Sequence, residues 1–438
     1  MDRTIIIEIG GIVFYIKNRI YYRTTFLLIL TALTLSCNGQ NASSNDNPGI
    51  TVPPGFSVSV FADNLGRARH ITVNDNGDVY VALRTPNQGG GIVALRDQNN
   101  DDKADVVQYF GKYSGTGIDI HNNHLYFASD TAVMRYAMTE GELIPEPQAQ
   151  FIAGGFIAER QHAAKPFTFD DQGNIYVNVG APANACQEQM RTPGSPGMDP
   201  CPLLERFGGI WRFDAAQTGQ KQKVHGFHFA TGIRHAVAID WNPASGKLYI
   251  VQHGRDQLHQ LFPELFTEKQ NAELPAEEFF LVEEGANFGW PYCYYDQIQG
   301  KKVLAPEYGG DGQKIGRCGQ FESPIMAFPG HWAPNDLLFY HGEGFPQKYK
   351  DGAFIAFHGS WNRAPLEQRG YNVVFVPFEG DKPAGDHEIF ADGFTGKESI
   401  SSPREARFRP MGLARGPDGA LYISDSVKGR IWKITYAR

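Results

Sequence analysis

The sequence predicts an all-β fold, a six-bladed β-propeller with long inter-blade loops, and three observations carry that prediction. One unit recurs along the chain: a short apolar run, a turn centred on Gly or Asn, and a second apolar run that contains tyrosine. The composition is that of strands and turns, with 49 Gly and 27 Pro among 438 residues. No stretch shows the sustained 3.6-residue periodicity of a long helix.

Taken in order, the copies begin with Arg69-His70-Ile71-Thr72-Val73, which passes Gly77 to Val79-Tyr80-Val81. Gly117-Ile118-Asp119-Ile120 leads to Leu125-Tyr126-Phe127, and Pro166-Phe167-Thr168-Phe169 passes Gly173 to Ile175-Tyr176-Val177. Ile233-Arg234-His235-Ala236 passes Gly246 to Leu248-Tyr249-Ile250. A divergent copy lies around Leu337-Leu338-Phe339-Tyr340 and Ala353-Phe354-Ile355, and Pro410-Met411-Gly412-Leu413 passes Gly419 to Leu421-Tyr422-Ile423. Six hairpins of one kind predict six blades within a single domain over residues 53–438. The last copy ends in Ile431-Trp432-Lys433-Ile434, near the C-terminus, so strands from the two ends of the chain are expected to pair and close the ring.

Two segments stand out between blades. The stretch from Cys186 to Cys201 is rich in Gln, Thr, Pro, Gly and Ser and reads as a surface loop. An insertion over about 262–334 holds a charged part, 264–278, that reads as helical, followed by Gly289-Trp290-Pro291-Tyr292-Cys293. Long loops between regular elements are usually functional, and both are expected to wall one mouth of the central channel.

Residues 1–36 read as a lipoprotein signal peptide and 37–52 as a flexible tether. Lys17, Arg19 and Arg23 precede an apolar run, 26–35, too short to cross a bilayer, and Leu35-Ser36-Cys37 resembles a lipobox whose cysteine is lipidated. An ordinary secretory leader with a chance cysteine is the plainer alternative, and the apolar residues 1–16 ahead of the basic region suit neither pattern. The expected location is the bacterial cell envelope, periplasm or outer membrane, with membrane contact through the lipid alone. A net charge of −8 without a basic stripe argues against nucleic acid. Setting Cys37 aside leaves Cys186, Cys201, Cys293 and Cys318, for which three disulfide pairings exist. Each near pair brackets a Pro/Gly-rich loop, favouring Cys186–Cys201 and Cys293–Cys318, and no CxxC spacing supports a metal site.

Against this acidic background, cations and imidazoles recur where repeats begin. If each first strand lines the channel, His162, Arg234, His235, His331, Arg407 and Arg409 gather at one mouth, a funnel suited to an anionic ligand. Arg407 and Arg409 flank Phe408; two apart in a strand, they would point the same way, an arrangement that favours a carboxylate or phosphate between them. A solvated pair beside Glu405 is the bland alternative. His162, in Gln161-His162-Ala163, is the candidate general base. Gly254, in Gln252-His253-Gly254-Arg255-Asp256, allows backbone carbonyls to approach a ligand or hard cation. The run 97–105 carries oxygen groups at alternate positions, like a short calcium loop, and equally like a plain acidic turn. His358-Gly359-Ser360-Trp361-Asn362-Arg363 follows a buried strand and suits a cofactor wall. No Ser/His/Asp triad and no Gly-rich phosphate cradle is present.

These motifs resemble the soluble glucose/sorbosone dehydrogenase family, six-bladed propellers that use pyrroloquinoline quinone (PQQ) and calcium. The resemblance spans about Pro53 to Tyr436, and His-Gly-Ser-Trp and Gly-Trp-Pro-Tyr-Cys are closest to the L-sorbosone dehydrogenase branch. It implies that His162 removes a proton from the anomeric hydroxyl of an aldose and that Arg234 sits where charge develops on the quinone. Arg407 and Arg409 would hold the cofactor carboxylates, and His235, His331, His358 and Trp361 would wall the pocket. The backbone carbonyls of Gly254 and Arg255 would face calcium. The partners implied are a small sugar and an electron acceptor such as a cytochrome or quinone. His235 stands where the family has Asn, and Arg255 where Pro is frequent. Two rival readings accompany this one: a calcium-dependent propeller lactonase, which needs several channel-facing carboxylates, and a redox-inactive binding or scaffold lipoprotein.

Overall fold

Every repeat forms the inner half of an antiparallel blade, and six blades surround a central channel. The computed structural model describes residues 4–9, 12–17 and 49–437. It divides into two units, Met1–Asn45 and Asp46–Arg438. In the first, Thr4–Ile9 and Ile12–Lys17 form an antiparallel hairpin. Cys37 and most of the expected leader and tether lie outside the described residues. At the end of the expected tether, Ile50 is buried and Thr51 exchanges backbone hydrogen bonds with Asp392.

In the second unit the innermost strands are Ala68–Val73, Gly115–His121, Phe167–Phe169, Ala238–Asn242, Pro334–Tyr340 and Pro410–Arg415. Five blades have four strands each; the second gains a fifth, Gln220–Lys221, which pairs in parallel with Gln150–Gly154. The sixth blade is closed as expected. Its outer strand, Phe56–Ala62, comes from the N-terminal side and pairs antiparallel with Ile431–Tyr436. No edge of the ring is left open between first and last blades.

The recurrent tyrosine of the second strand has a physical reason. Tyr80, Tyr126 and Tyr249 are 0–1 % exposed, and each hydroxyl reaches a backbone carbonyl of the next blade. Tyr80 donates to Leu143 at 2.8 Å, Tyr126 to Ala215 at 2.9 Å and Tyr249 to Asp381 at 2.9 Å. A buried ring thus fills the space between blades while its hydroxyl finds a partner. Buried carboxylates on the inner strands add staples along the channel. Asp119 accepts from Thr72, Asp240 from Thr168 and from the amide of Phe339, and Asp336 from the amide of Leu413.

The insertion over 262–334 differs from the expectation. It contains the third and fourth strands of the fourth blade, Glu277–Val282 and Met326–Phe328. The expected helix shortens to Glu268–Glu273, opened by a Thr267–Gln270 capping box. Beyond it, Leu274-Pro275 stops the helix, and Phe279 and Phe280 alternate into the cores on the two faces of the blade. Between these strands lies a small hairpin, Cys293–Asp296 with Lys301–Leu304. Both disulfides form as expected, Cys186–Cys201 with Cα atoms 6.2 Å apart and Cys293–Cys318 with 5.8 Å. Among the described residues, no helix is long and apolar enough to cross a membrane.

Candidate active site

One end of the channel opens into a cavity of about 330 Å³ lined by imidazoles and guanidiniums from different blades. His162, His235, His253 and His358 face it, together with Arg69, Arg84, Arg160, Arg409 and Trp361. Arg84 is paired with Asp130 at 2.6 Å. Among the described residues, no carboxylate lies within salt-bridge reach of Arg69, Arg160 or Arg409. Burial, with Arg84 and Arg67 nearby, pushes the Arg69 guanidinium down to about 9. Burial also lowers Arg409. Cations that outnumber the carboxylates beside them make a site that an anionic ligand stabilises.

His162 is built as a base. Its Nδ1 lies 2.5 Å from the Ala181 carbonyl, an oxygen that only accepts, so Nδ1 carries the proton and Nε2 keeps its lone pair. Burial first, and Arg234 second, hold its pKa well below the ordinary 6.5. The residue sits at φ +52°, an uncommon backbone conformation for a non-glycine. Its ring stacks on His235, centroids 4.7 Å apart and planes 21° from parallel. Gly180 makes the stack possible: a Cβ there would lie 2.3 Å from His235 Nδ1 and 2.8 Å from His162 Cβ.

Arg234 stands behind these rings and does not line the cavity. Its guanidinium donates to Asp256 at 2.8 Å, to the Gly254 carbonyl at 2.9 Å and to Asn184 at 3.1 Å. Asp256 also accepts from Arg191 at 3.1 Å, which ties the disulfide-bounded loop to the site. The Gly254 carbonyl, expected to face calcium, is therefore already capped by a cation. Arg255 turns its side chain to Glu307 at 2.5 Å. Among the described residues, no three His, Cys, Asp or Glu are grouped to hold a metal ion. That includes 97–105, where Asp97 accepts from the amides of Asn100 and Asp102. The Gly254 carbonyl takes one hydrogen bond, from Arg234, which leaves its second lone pair.

Arg409 donates to the carbonyls of His358 and Gly359, at 3.0 and 2.5 Å, and fastens the wall segment to the sixth blade. His358 reaches Ser426 at 2.7 Å, and Trp361, half exposed, stands at the rim. Arg407 is not with them. Its backbone amide bonds Thr395 outside any strand, and its side chain lies exposed over the Phe408 ring at 5.0 Å. The expected alternation fails because 406–409 is irregular, with buried Phe408 anchoring it to the core instead. His331 is likewise placed elsewhere: it is buried against the carbonyls of Asn271 and Leu274 at 2.8 and 2.9 Å, a structural setting. Four residues facing the cavity were missed, Arg69, Arg84, Arg160 and His253. Arg69 carried a signal, since Arg69-His70 opens the first repeat as Arg234-His235 opens the fourth.

At the far end, a cavity of about 240 Å³ is lined by Asp119, Asp240 and Asp336. Burial raises Asp119 to about 6 and Asp240 to about 7. These carboxylates are engaged in the blade-to-blade bonds above, not turned toward the cationic mouth.

A family model described as TrAA12-like matches residues 50–437. The chain belongs to the TrAA12-like family. This TrAA12-like protein is 21 % identical to a pyrroloquinoline quinone-dependent sugar dehydrogenase of Hypocrea jecorina, over 94 % of this chain and 96 % of that one. It is 23 % identical to an uncharacterized protein of Borreliella burgdorferi, over 96 % of this chain and all of the other. Among solved structures, the holo PQQ domain of pyranose dehydrogenase from Coprinopsis cinerea aligns with a TM-score of 0.71 at 19 % identity, covering 88 % of this chain and 97 % of that one. The PQQ-bound aldose sugar dehydrogenase of Streptomyces coelicolor aligns at 0.51 and 16 %, covering 88 % of this chain and all of that one. The resemblance to soluble PQQ sugar dehydrogenases and the six-bladed fold both hold.

Proposed function

We propose that this TrAA12-like protein is a PQQ-dependent sugar dehydrogenase. It oxidises an aldose at the anomeric hydroxyl, or a sorbosone-type aldehyde, to the lactone or acid, and passes electrons to a cytochrome or quinone. The observation that carries this reading is one cavity holding Arg69 and Arg409 without carboxylate partners beside His162 with a bare Nε2. Unopposed guanidiniums fit the carboxylates of PQQ, and a neutral imidazole fits removal of a hydroxyl proton. When bound, PQQ supplies the two-electron acceptor for the hydride. His162 takes the proton at Nε2 while Ala181 holds Nδ1–H, Arg409 and Arg69 bind the anionic group, and Trp361 offers an aromatic face to the sugar. Calcium would be held by the backbone carbonyls of Gly254 and Arg255, the first of which keeps a lone pair beside its bond from Arg234. The sugar dehydrogenase of Hypocrea jecorina, similar along nearly its whole length, supports the assignment.

Titration of the protein with PQQ, followed by absorbance, tests the cofactor part. Arg409→Ala and Arg69→Ala are each expected to weaken PQQ binding by about ten- to a hundredfold, the worth of a charge-assisted hydrogen bond. Unchanged affinity in both variants would refute the assignment of the cationic wall. We further propose export with lipidation at Cys37, supported by the leader pattern and by two disulfides, which persist in oxidising compartments. Cys37→Ser is then expected to move the protein from the membrane fraction to the soluble fraction; retention in the membrane would count against the anchor.

A further inference from the structure

His235 differs from the Asn expected at its position, and its surroundings fix how it presents itself to the cavity. Asn178 is fully buried, and its Oδ1 accepts from the amide of Ala236 at 3.2 Å. That orients the amide so that Nδ2, which only donates, faces His235 Nδ1 at 3.4 Å. In neutral His235, Nδ1 is then the acceptor and the proton resides on Nε2. No protein group takes that Nε2–H among the described residues, and the ring lines the cavity. The adjoining His162 has the opposite tautomer, with Nδ1–H spent on Ala181 and Nε2 bare. The two rings are stacked at 4.7 Å over Gly180, which has no side chain to part them.

We propose that His235 is a second substrate-contacting residue. Its Nε2–H donates to the oxygen vicinal to the hydroxyl that faces His162, so the stacked imidazoles read a 1,2-pair of sugar oxygens, one as acceptor and one as donor. The proposal rests on the sugar-dehydrogenase reading and deepens it: the substrate class is an aldose bearing a free 2-hydroxyl. Both rings line the one cavity with centroids 4.7 Å apart, a separation that suits oxygens on neighbouring carbons better than two oxygens on one carbon. No bond is made or broken by His235; it orients the substrate for the base.

Two measurements decide it. In protein labelled with ¹⁵N-histidine, NMR is expected to show His235 protonated at Nε2 and His162 at Nδ1, without cofactor or substrate; protonation of His235 at Nδ1 would overturn the proposal. With PQQ-loaded enzyme, kcat/KM for an aldose is expected to exceed that for its 2-deoxy analogue by at least tenfold. His235→Phe, which keeps the stack and loses the donor, is expected to erase that preference by lowering the aldose value alone. His235→Asn, with a shorter donor, is expected to keep part of it and serves if the Phe variant folds poorly. Equal losses on both sugars, or no change, would overturn the role. Wild type that turns over no sugar while showing the expected tautomers would instead refute the dehydrogenase reading beneath it.

Discussion

Replacing His162 by alanine is expected to lower turnover of PQQ-loaded protein by about a hundred- to ten-thousandfold, the usual contribution of a general base, while PQQ still binds. The expectation follows from the one nitrogen left free. Ala181 fixes Nδ1–H, so Nε2 is aimed and ready, and no other imidazole at this mouth has the same arrangement. His253 has Nε2 at 2.8 Å from the Pro334 carbonyl, and His358 has Nε2 on Ser426. The pH profile gives an independent check. Burial and Arg234 depress the His162 pKa, so its base form persists as pH falls past 6.5 and is lost only below that value. The acid limb of kcat/KM, which reports the free enzyme, is expected to have its midpoint below pH 6.5. A midpoint at or above 6.5, or a variant with ordinary turnover, would show that another group takes the proton.

Asp256→Ala is expected to cost about 3–5 kcal/mol of stability, because it leaves a buried guanidinium without its anion. The Arg234 side chain is 4 % exposed and that of Asp256 13 %, and Asp256 is the carboxylate that Arg234 meets. Arg191 keeps Gln257 and Gln161 when Asp256 is gone, whereas the Nε of Arg234 is already without a partner. Burial pushes the Asp256 carboxyl up, but Arg234, His331 and Arg191 more than reverse this and hold it below the ordinary 3.8. A depressed folded pKa means that its stabilisation is complete above the unfolded value and disappears only as pH falls through the folded one. The gap between wild type and variant is therefore expected to be constant from pH 6 to 8. Guanidinium denaturation is the measurement, and a loss under 1 kcal/mol would mean that Arg234 finds other compensation.

The parts of the fold that repeat were open to reading, and the parts that depend on one distant neighbour were not. Six hairpins, the closing strand and both disulfides followed from local pattern, since each blade solves the same packing problem with the same apolar spacing. The outer strands of the fourth blade stayed hidden because Glu277 and Glu278 made Glu277–Val282 look like the end of a charged helix. Those carboxylates are in fact buried, Glu278 by Lys302 at 2.6 Å and Glu277 by the amides of Gly254 and Ala333. His162, His235 and Arg409 reach the cavity because they stand ahead of innermost strands, and His358 and Trp361 because they follow the second strand of the fifth blade, Gly352–Phe357. Arg407 was misplaced because two-residue alternation holds only inside a strand. The bond from Arg234 to the Gly254 carbonyl was not legible, although Asp256, which holds Arg234, stands two residues on in the same motif.

The strand that seals the wheel has a consequence for synthesis. Phe56–Ala62 is made before every other strand of the ring and its partner Ile431–Tyr436 after them; Ser59 and Lys433, bonded across that seam, are 374 residues apart. Until Ile431–Tyr436 has been made, the early strand has no mate, and five nascent blades curve around a gap. Completing the circle is then a single late event with a large loop entropy to overcome. Keeping that early segment unpaired and away from other polypeptides until its mate arrives is the task this architecture sets for the folding chain.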